Sequence, residues 1–304
     1  MIIVPVYNAE RFLESCISSL LGQQTQYSYY IVFVDDGSTD KSAMILDKYS
    51  QCNNIKIIHQ QNMGISAARN IALKNICGNY LMFVDSDDIL PDNTIETLMN
   101  LAEEKNADIV EGQYKSFISD DEIDIHKHER FQSSNLTKLN GYAWGKIISS
   151  EKLLNLAFPK GYEYEDTIIS TLLIPSCKKI YVTNDVTYYY RKNEQGITSA
   201  LYNRKSSIDT LYITLYCFAE ALNRNYKISV EDYLKQVRLN WIRTKNMPHD
   251  VRKAIFIVEV DFFEKNYKID KTIKKSNLLK LQKTLQKHSY LGFKWIMNYW
   301  EILG

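Results

Sequence analysis

Short apolar runs typical of strands alternate with helical periodicity over the N-terminal part of the chain. The strand-like runs lie at 2–6, 30–34, 55–59, 80–84 and 108–114. Between them, apolar residues recur at the spacing of one helix face, as in Phe12, Leu13, Cys16, Ile17, Leu20 and Leu21. This alternation predicts an α/β fold with a mainly parallel central sheet and helices on both faces.

The pattern changes after residue 114. Residues 115–140 are charged and aperiodic, which predicts an exposed connection. Beyond it we predict a helix at 149–156, strands at 180–183 and 186–191, and a predominantly helical remainder. The predicted division of the chain is one domain over 1–200, with halves 1–114 and 115–200, and a mostly helical C-terminal region over 201–304.

Composition and charge exclude several classes of protein. Lysine and arginine number 37 against 36 aspartate and glutamate residues, so the overall charge gives no reason to expect a nucleic-acid partner. The five cysteines are scattered without a C-x-x-C spacing, as expected of reduced thiols. No apolar run is long enough to span a bilayer, and the chain opens directly on a strand-like run, so we expect a cytoplasmic protein without a secretory leader.

Polar and acidic residues follow three of the predicted strands. They are Tyr7-Asn8, Asp35-Asp36 and Asp85-Ser86-Asp87. In open α/β sheets, ligands bind outside the carboxyl ends of the strands. No glycine-rich dinucleotide or P-loop fingerprint occurs, which excludes those two phosphate cradles. A D-x-D pair at a strand end instead suits Mg²⁺ or Mn²⁺, whose oxygen shell is completed by substrate phosphates, and this favours a diphosphate ligand.

Four segments in the same order resemble one known family. They are Ile3–Asn8, Val34–Asp40, Asn62–Asn70 and Phe83–Asp88. Together they resemble a family 2 glycosyltransferase with the GT-A (Rossmann-like) fold, of the kind that builds bacterial surface polysaccharides. The resemblance covers about residues 1–200.

The resemblance implies a nucleotide-sugar donor site in the half 1–114. The residues implied to line the base pocket are Pro5, Val6 and Tyr7. Asp36, together with Asp35, would hydrogen-bond the base or ribose of the donor, which is expected to be a UDP-sugar.

The diphosphate and metal contacts are also implied by the resemblance. Arg69 would bind near the phosphates, where a fixed cation is useful. Asp87 would be the principal ligand of Mn²⁺ or Mg²⁺, with Asp85 as a second ligand or, beside Ser86, facing the ribose or sugar. Arg191 could reach the diphosphate, ahead of a closing segment at 196–199.

The half 115–200 is implied to bind the acceptor. Glu165 and Asp166 fit the family's acid pair at the start of a helix, and Asp166 is the better candidate for the base. Both acids would also suit a helix N-terminus for purely structural reasons. Trp144 and Lys146 resemble residues that contact the acceptor, although core packing explains Trp144 equally well.

These roles imply an inverting transfer of a sugar to a hydroxyl of a saccharide or lipid-linked saccharide. Two alternatives stay open. A non-catalytic nucleotide-sugar-binding or assembly subunit would need neither the D-x-D pair nor a base, and the sequence has candidates for both. A sugar-nucleotide pyrophosphorylase would need a glycine-rich loop after the first strand, and residues 4–8 contain no glycine.

The C-terminal tail is strongly basic. Between Lys265 and Trp300 there are nine lysines and one acid, Asp270. Apolar residues at helical spacing are Leu278, Leu281, Leu285, Leu291, Trp295 and Tyr299. Basic amphipathic helices with tryptophan are typical of binding to an anionic membrane surface, here through residues 265–300. Packing on the rest of the protein or an oligomer contact would produce the same pattern, and the sequence does not define the oligomeric state.

Overall fold

The computed structural model describes residues 1–131, 139–193, 208–226 and 228–303. The chain divides into two compact units. The first unit comprises Met1–Gly161 and Glu165–Gly196, and the second comprises Tyr162–Tyr164 and Ile197–Gly304. The short segment 162–164 therefore groups with the C-terminal unit although it lies inside the N-terminal sequence.

A seven-stranded sheet forms the centre of the first unit. Its strands are β1 (Ile2–Val6), β2 (Ile31–Asp35), β3 (Ile55–His59), β4 (Tyr80–Phe83), β5 (Ile109–Phe117), β6 (Lys146–Ser149) and β7 (Ile180–Arg191). Their spatial order is β3-β2-β1-β4-β6-β5-β7. All neighbouring pairs are parallel except those of β6, which runs antiparallel to β4 and β5. The predicted fold class, a mainly parallel sheet in an α/β protein, is confirmed.

Short helices connect these strands. They are α1 (Leu13–Leu21), α2 (Ser42–Asp47), α3 (Ile65–Leu73), α4 (Thr94–Lys105) and α5 (Ser150–Leu153), followed by a π-helical turn at Ile169–Leu173 that continues into α6 (Ile174–Ser176). Every residue of β1 and β2 is buried. Strands buried on both faces read as continuous apolar runs, which explains why the first strands are so clear in the sequence.

Two features of the sheet differ from the sequence prediction. Strand β6 was not predicted, because it is only four residues long, Lys-Ile-Ile-Ser, and begins with a charged residue. The two strands predicted at 180–183 and 186–191 are one continuous strand, β7, whose register with β5 shifts around Gln113. The polar residues between the two apolar runs mark this irregularity and not a turn.

The second unit is helical, as predicted. In the part of the chain that the structure describes, it contains α7 (Asp209–Asn223), α8 (Val230–Arg243), α9 (His249–Asn266), α10 (Ser276–Gln286) and α11 (Tyr290–Leu303). Its core is built from apolar residues at helical spacing, including Val237, Trp241, Phe256, Leu281 and Phe293. Among the described helices, none is both long enough and apolar enough to cross a bilayer.

Candidate active site

The carboxyl ends of β1, β2 and β4 bring three loops to one edge of the sheet, because these strands are parallel neighbours. The first two loops are tied together by hydrogen bonds. Asn8 adopts a left-handed backbone conformation (φ 49°), and its side-chain oxygen accepts a hydrogen bond from the Thr39 N–H at 2.8 Å. Tyr7 is exposed beside them, whereas Pro5 and Val6, also predicted to line the base pocket, are buried.

Asp36 organises the loop at residues 60–64. Its Oδ1 accepts hydrogen bonds from Gln60 Nε2 at 2.6 Å and from the Met63 N–H at 2.9 Å, and its Oδ2 accepts one from the Gly64 N–H at 2.8 Å. The neighbouring Gly37 is required here, since a Cβ would lie 2.7 Å from the backbone nitrogen of Asn62 and φ is +71°. The loop is therefore ordered by the protein itself.

Asp35 is also engaged by protein groups. Its Oδ1 accepts a hydrogen bond from the Ser38 N–H at 3.0 Å, and its Oδ2 lies 2.9 Å from His59 Nδ1. The hydrogen bond to Asp35 is the main cause that raises the pKa of His59. This acid thus shapes the turn after β2, while Asp36 shapes the loop after β3.

Arg69 joins two predicted site residues into one cluster. Its Nη1 donates to Glu165 Oε1 at 2.7 Å, and its Nη2 lies 3.4 Å from Asp85 Oδ1. The guanidinium is buried and lies over the rings of Phe83 and Phe158, with centroids at 5.8 and 5.1 Å. Three elements thus meet here. The turn after β4 carries Asp85, helix α3 carries Arg69, and the turn before the π-helix carries Glu165, a member of the predicted catalytic pair.

The D-x-D acids carry excess negative charge. Burial, together with the charges of Asp87 and Glu165, raises the pKa of Asp85 to about 6, although the charge of Arg69 lowers it. Asp87 Oδ2 accepts a hydrogen bond from Asn193 Nδ2 at 3.2 Å, and Ser86 between the two acids is half-buried. Such a pair of carboxylates suits a hard divalent cation.

The donor set limits how such a cation could be held. Within the described part of the chain, no three histidine, cysteine or acidic side chains converge into a metal centre. Asp85 and Asp87 would therefore supply the protein ligands, and phosphate and water oxygens would supply the rest. This is the usual arrangement for Mg²⁺ at sites that bind substrate phosphates.

Asp88 had no assigned role in the sequence, although it directly follows the D-x-D. It is fully buried, and its carboxylate accepts hydrogen bonds from the Tyr188 hydroxyl at 2.6 Å and from the Arg191 N–H at 2.7 Å. Arg191 Nε in turn donates to the carbonyl of Asp87 at 2.6 Å. Asp88 thus fixes the end of β7 against the D-x-D turn; the predicted closing segment at 196–199 lies outside the described residues.

Two buried guanidinium groups among the described residues each have an N–H donor without a hydrogen-bond partner. The donors are Arg69 Nε and Arg191 Nη2. Buried donors are nearly always paired in proteins, so each of these is expected to have a partner in the working protein.

Glu165 and Asp166 form a turn immediately before a helical segment, as predicted. The carbonyl of Asp166 accepts the Ile169 N–H at 2.8 Å, and the following residues make the π-helical turn. π-helical turns are frequent at functional sites. Both acids are half-buried, and Glu165 is held by Arg69.

Lys146 does not occupy the predicted acceptor position. It is fully buried, 2.8 Å from Glu111 Oε1, and it donates to the carbonyls of Tyr142 and Trp144 at 2.6 and 3.0 Å. Burial lowers its pKa, against the charges of Glu111 and Asp166. A buried ammonium with three oxygen partners supports the loop and exposes no atom to an acceptor.

Trp144 is also packed in the interior. Its indole stacks on Tyr188 at 4.6 Å and on Tyr142 at 4.7 Å between ring centroids, and the side chain is buried. Tyr142, on the outer side of this stack, is the exposed aromatic residue of the group.

Comparisons with known proteins agree on one family. Residues 1–158 match the family described as Glycosyl transferase family 2. The glycosyltransferase GlyA of Streptococcus pneumoniae is 35% identical over 211 residues, which cover 62% of this chain but 30% of that protein. GlyG of the same organism is 32% identical over 217 residues, 64% of this chain and 71% of that protein.

The fold is also shared with a solved structure. That structure is S. aureus TarS 1-349 in complex with UDP-GlcNAc, with a TM-score of 0.78 at 20% identity, covering 99% of this chain and 90% of that chain. The similarity supports the fold assignment for both the sheet and the helices that follow it.

Proposed function

The chain belongs to glycosyl transferase family 2, and on that premise we propose that it transfers a sugar from a nucleotide diphosphate sugar, expected to be a UDP-sugar, to an acceptor hydroxyl. The acceptor would be a saccharide or lipid-linked saccharide of a bacterial capsule, exopolysaccharide or lipopolysaccharide. The observation that carries this proposal is the cluster of Asp85, Arg69 and Glu165 next to Asp87.

The donor would bind along the edge formed by β1, β2 and β4. Tyr7 and the loop that Asp36 orders lie where the base and ribose are expected. The unpaired donors of Arg69 and Arg191 are suited to the diphosphate, whose negative charge grows as the bond to the sugar breaks. The UDP-GlcNAc complex of the structurally similar TarS supports uridine as the base.

Asp87 and Asp85 would hold Mn²⁺ or Mg²⁺. When bound, the ion would neutralise charge on the leaving diphosphate. The two acids fit this role because the charge of Asp87 disfavours the ionised form of Asp85, and a cation would relieve that repulsion.

Asp166 would accept the proton of the acceptor hydroxyl. Glu165 is less suited to this task because its carboxylate is paired with Arg69 at 2.7 Å. Asp166 lies close enough to Lys146 for its negative charge to raise the pKa of that buried ammonium, against the effect of burial. Attack in one step from the face opposite the diphosphate would invert the anomeric centre.

A thermal-shift screen tests the donor assignment. The folded protein is incubated with UDP-, GDP- and CMP-sugars, with and without Mn²⁺. A ligand that binds the native state raises Tm, so UDP-sugars with Mn²⁺ are expected to give the largest increase. A larger increase with GDP or CMP sugars would reassign the nucleotide, and no increase with any of them would contradict donor binding.

We also propose that the second unit binds an anionic membrane surface, placing the enzyme on the inner face of the cell membrane. Helix α11 presents Leu291, Trp295 and Tyr299 one turn apart, with 81%, 62% and 43% of their surface exposed. Exposed lysines on α10, at its C-terminal cap and on α11 are Lys280, Lys283, Lys287 and Lys294. Apolar side chains that insert beside cations suit anionic lipid, to which each well-placed lysine contributes about 1 kcal/mol.

Vesicle sedimentation tests this surface. Binding is expected to vesicles that contain phosphatidylglycerol, with little binding to pure phosphatidylcholine, and to weaken as salt is raised. Trp295→Ser should reduce binding, whereas Ile257→Ser, a matched change at an exposed apolar residue of α9, should not. Equal binding of both variants, or none by the wild type at low salt, would contradict the proposal.

A further inference from the structure

Tyr142 is an exposed tyrosine at the outer end of a stack of aromatic rings. Its ring lies parallel to the indole of Trp144, with centroids 4.7 Å apart and planes at 5°. On the inner side, Trp144 stacks on Tyr188. Trp144 and Tyr188 are buried, whereas 44% of the surface of Tyr142 is exposed. The stack therefore reaches the surface of the first unit at Tyr142.

The inner end of the stack touches the D-x-D turn. The Tyr188 hydroxyl accepts a hydrogen bond from the Asp85 N–H at 3.1 Å and donates one to the carboxylate of Asp88 at 2.6 Å. Two ring-to-ring contacts thus connect the exposed ring of Tyr142 with the turn at which the metal and the diphosphate are proposed to bind.

The loop that carries Tyr142 also packs beside the turn of the proposed base. A Cβ added to Gly141 would lie 3.5 Å from the Cβ of Ser170, an exposed residue of the π-helical turn. That helical turn follows directly on the hydrogen bond from the Ile169 N–H to the Asp166 carbonyl. All of these residues belong to the first unit. The loop at 140–146 therefore lies next to both proposed halves of the reaction site.

A buried ion pair holds this loop in place. Glu111 Oε2 accepts a hydrogen bond from the Asn140 N–H at 2.8 Å, and Glu111 Oε1 is paired with Lys146. Lys146 Nζ in turn donates to the carbonyl of Tyr142 at 2.6 Å. Because the protein itself orders the backbone around Tyr142, a ligand that contacts this ring would bind with little rearrangement of the loop.

An exposed aromatic ring at this place suits one kind of acceptor. A pyranose ring has C–H bonds on its faces and hydroxyls around its rim, and C–H groups polarised by neighbouring oxygens suit the negative face of an aromatic ring. An open-chain polyol has no such flat face. We propose that Tyr142 binds a pyranose ring of the acceptor by stacking, so that the acceptor is a saccharide at this position and not a polyol chain. The inference rests on the proposed transfer of a sugar to an acceptor hydroxyl at this edge of the sheet.

Saturation-transfer NMR of the full chain with UDP and Mn²⁺ tests this contact. The probes are the methyl glycosides of glucopyranose, galactopyranose and N-acetylglucosamine, with ribitol as the open-chain comparison. At least one pyranoside is expected to receive saturation, strongest at the C–H protons of one ring face, and ribitol is expected to receive little. Tyr142→Ala and Tyr142→Leu, which remove the aromatic face, should each weaken pyranoside binding by about 3- to 10-fold. Tyr142→Phe keeps the ring and should bind like the wild type.

Tyr114→Ala is the matched control. Tyr114 is also exposed, over 38% of its surface, and its ring meets the same indole edge-on at 5.2 Å, but it lies on β5 and not on the loop. Its removal should leave pyranoside binding unchanged. Unchanged binding in Tyr142→Ala and Tyr142→Leu, or an equal loss in Tyr114→Ala, would overturn the inference. Equal saturation of ribitol, or none of any pyranoside, would do the same. If Tyr142→Ala does not fold, Tyr142→Leu decides.

The Kd for UDP with Mn²⁺, measured on the same samples, separates this inference from the proposed function. It should be equal in the wild type and in the Tyr142 variants, because the ring is not among the proposed donor contacts. Normal UDP binding without pyranoside binding would overturn only the role of Tyr142. Absence of UDP binding in the wild type would contradict the proposed donor site, and the inference with it.

Discussion

Two pairs of aspartates follow parallel strands of the same sheet and have opposite surroundings. Asp36 is 3% exposed, yet its carboxylate accepts three hydrogen bonds from residues 60–64. The side chain of Asp85 is 29% exposed, yet burial and the charges of Asp87 and Glu165 raise its pKa to about 6. Asp36 is thus surrounded by hydrogen-bond donors, whereas Asp85 lies among other acids.

This difference assigns the two pairs to different tasks. The first pair shapes the backbone, because its carboxylate oxygens accept hydrogen bonds from the loops after β2 and β3. The second pair keeps negative charge available, in a place where a cation or a cationic side chain lowers the free energy of the site. Four sets of substitutions, in order of expected effect, can break or sharpen the contrast.

Asp87→Ala should have the largest effect. Removing this acid is expected to abolish Mn²⁺-dependent donor binding and transfer while the protein stays folded, because the side chain is half-buried at a turn and not part of the core. Calorimetric titration of UDP with and without Mn²⁺, beside a transfer assay, measures both. Retained metal-dependent transfer would refute the assignment of Asp87 as a metal ligand.

Asp166→Asn is expected to lower turnover by about 100- to 10,000-fold, the usual range for general base catalysis, with a small change in donor affinity. The amide keeps the size of the side chain and removes its basicity. Glu165→Gln should cost less if that acid mainly pairs with Arg69. A large loss of donor affinity in Asp166→Asn with unchanged turnover would move that residue to the nucleotide site.

Replacing Asp36 or Asp85 with asparagine should change the free energy of unfolding in opposite directions. Asp36→Asn places an amide N–H either against the donor of Gly64 or against those of Gln60 and Met63 and is expected to cost about 1–3 kcal/mol. Asp85→Asn removes crowded charge and should stabilise the ligand-free protein by about 1 kcal/mol. Denaturant unfolding of both variants measures the two values, and the same sign in both would remove the contrast.

Glu259 of α9 extends the comparison to a buried acid away from the site. Asn240 donates to its Oε1 at 3.0 Å, and burial raises its pKa from 4.5 to about 8. The folded state favours the neutral acid, so the stabilisation is full below pH 4.5 and is lost as the pH rises toward 8, by about 1.4 kcal/mol per pH unit. Glu259→Gln should flatten this dependence of the unfolding free energy, and equal slopes would contradict the assigned pKa.

The sequence predicts the strands of the first unit well, because residues buried on both faces leave continuous apolar runs such as Ile2–Val6 and Ile31–Asp35. It fails at β6, where four residues beginning with lysine give too short a pattern. The same strand carries Lys146, which the family resemblance implied to be an acceptor contact and which is buried. In the fold its charge is neutralised by Glu111 on the neighbouring strand.

The sequence predicted which residues lie at the strand ends, but it did not predict which of them contact one another. The strand-end positions of Asp36, Asp85 and Asp87 follow from the alternation of elements, since parallel strands share one carboxyl edge. The bond between Arg69 and Glu165 spans 96 positions, and no local pattern reports a contact at that separation. The roles of Asp166 and of the metal ligands remain predictions.

The hydrogen bonds between Asp36 and residues 60–64 also affect the entropy cost of binding the proposed nucleotide-sugar donor. Fixing a backbone costs roughly 1–2 kcal/mol per residue, and here that cost is met when the protein folds. A donor arriving at this edge would find the loop already in place, so association there needs no ordering step and complementarity to the base acts from the first encounter. If the proposed donor site is correct, discrimination among nucleotides would then be a property of the resting enzyme.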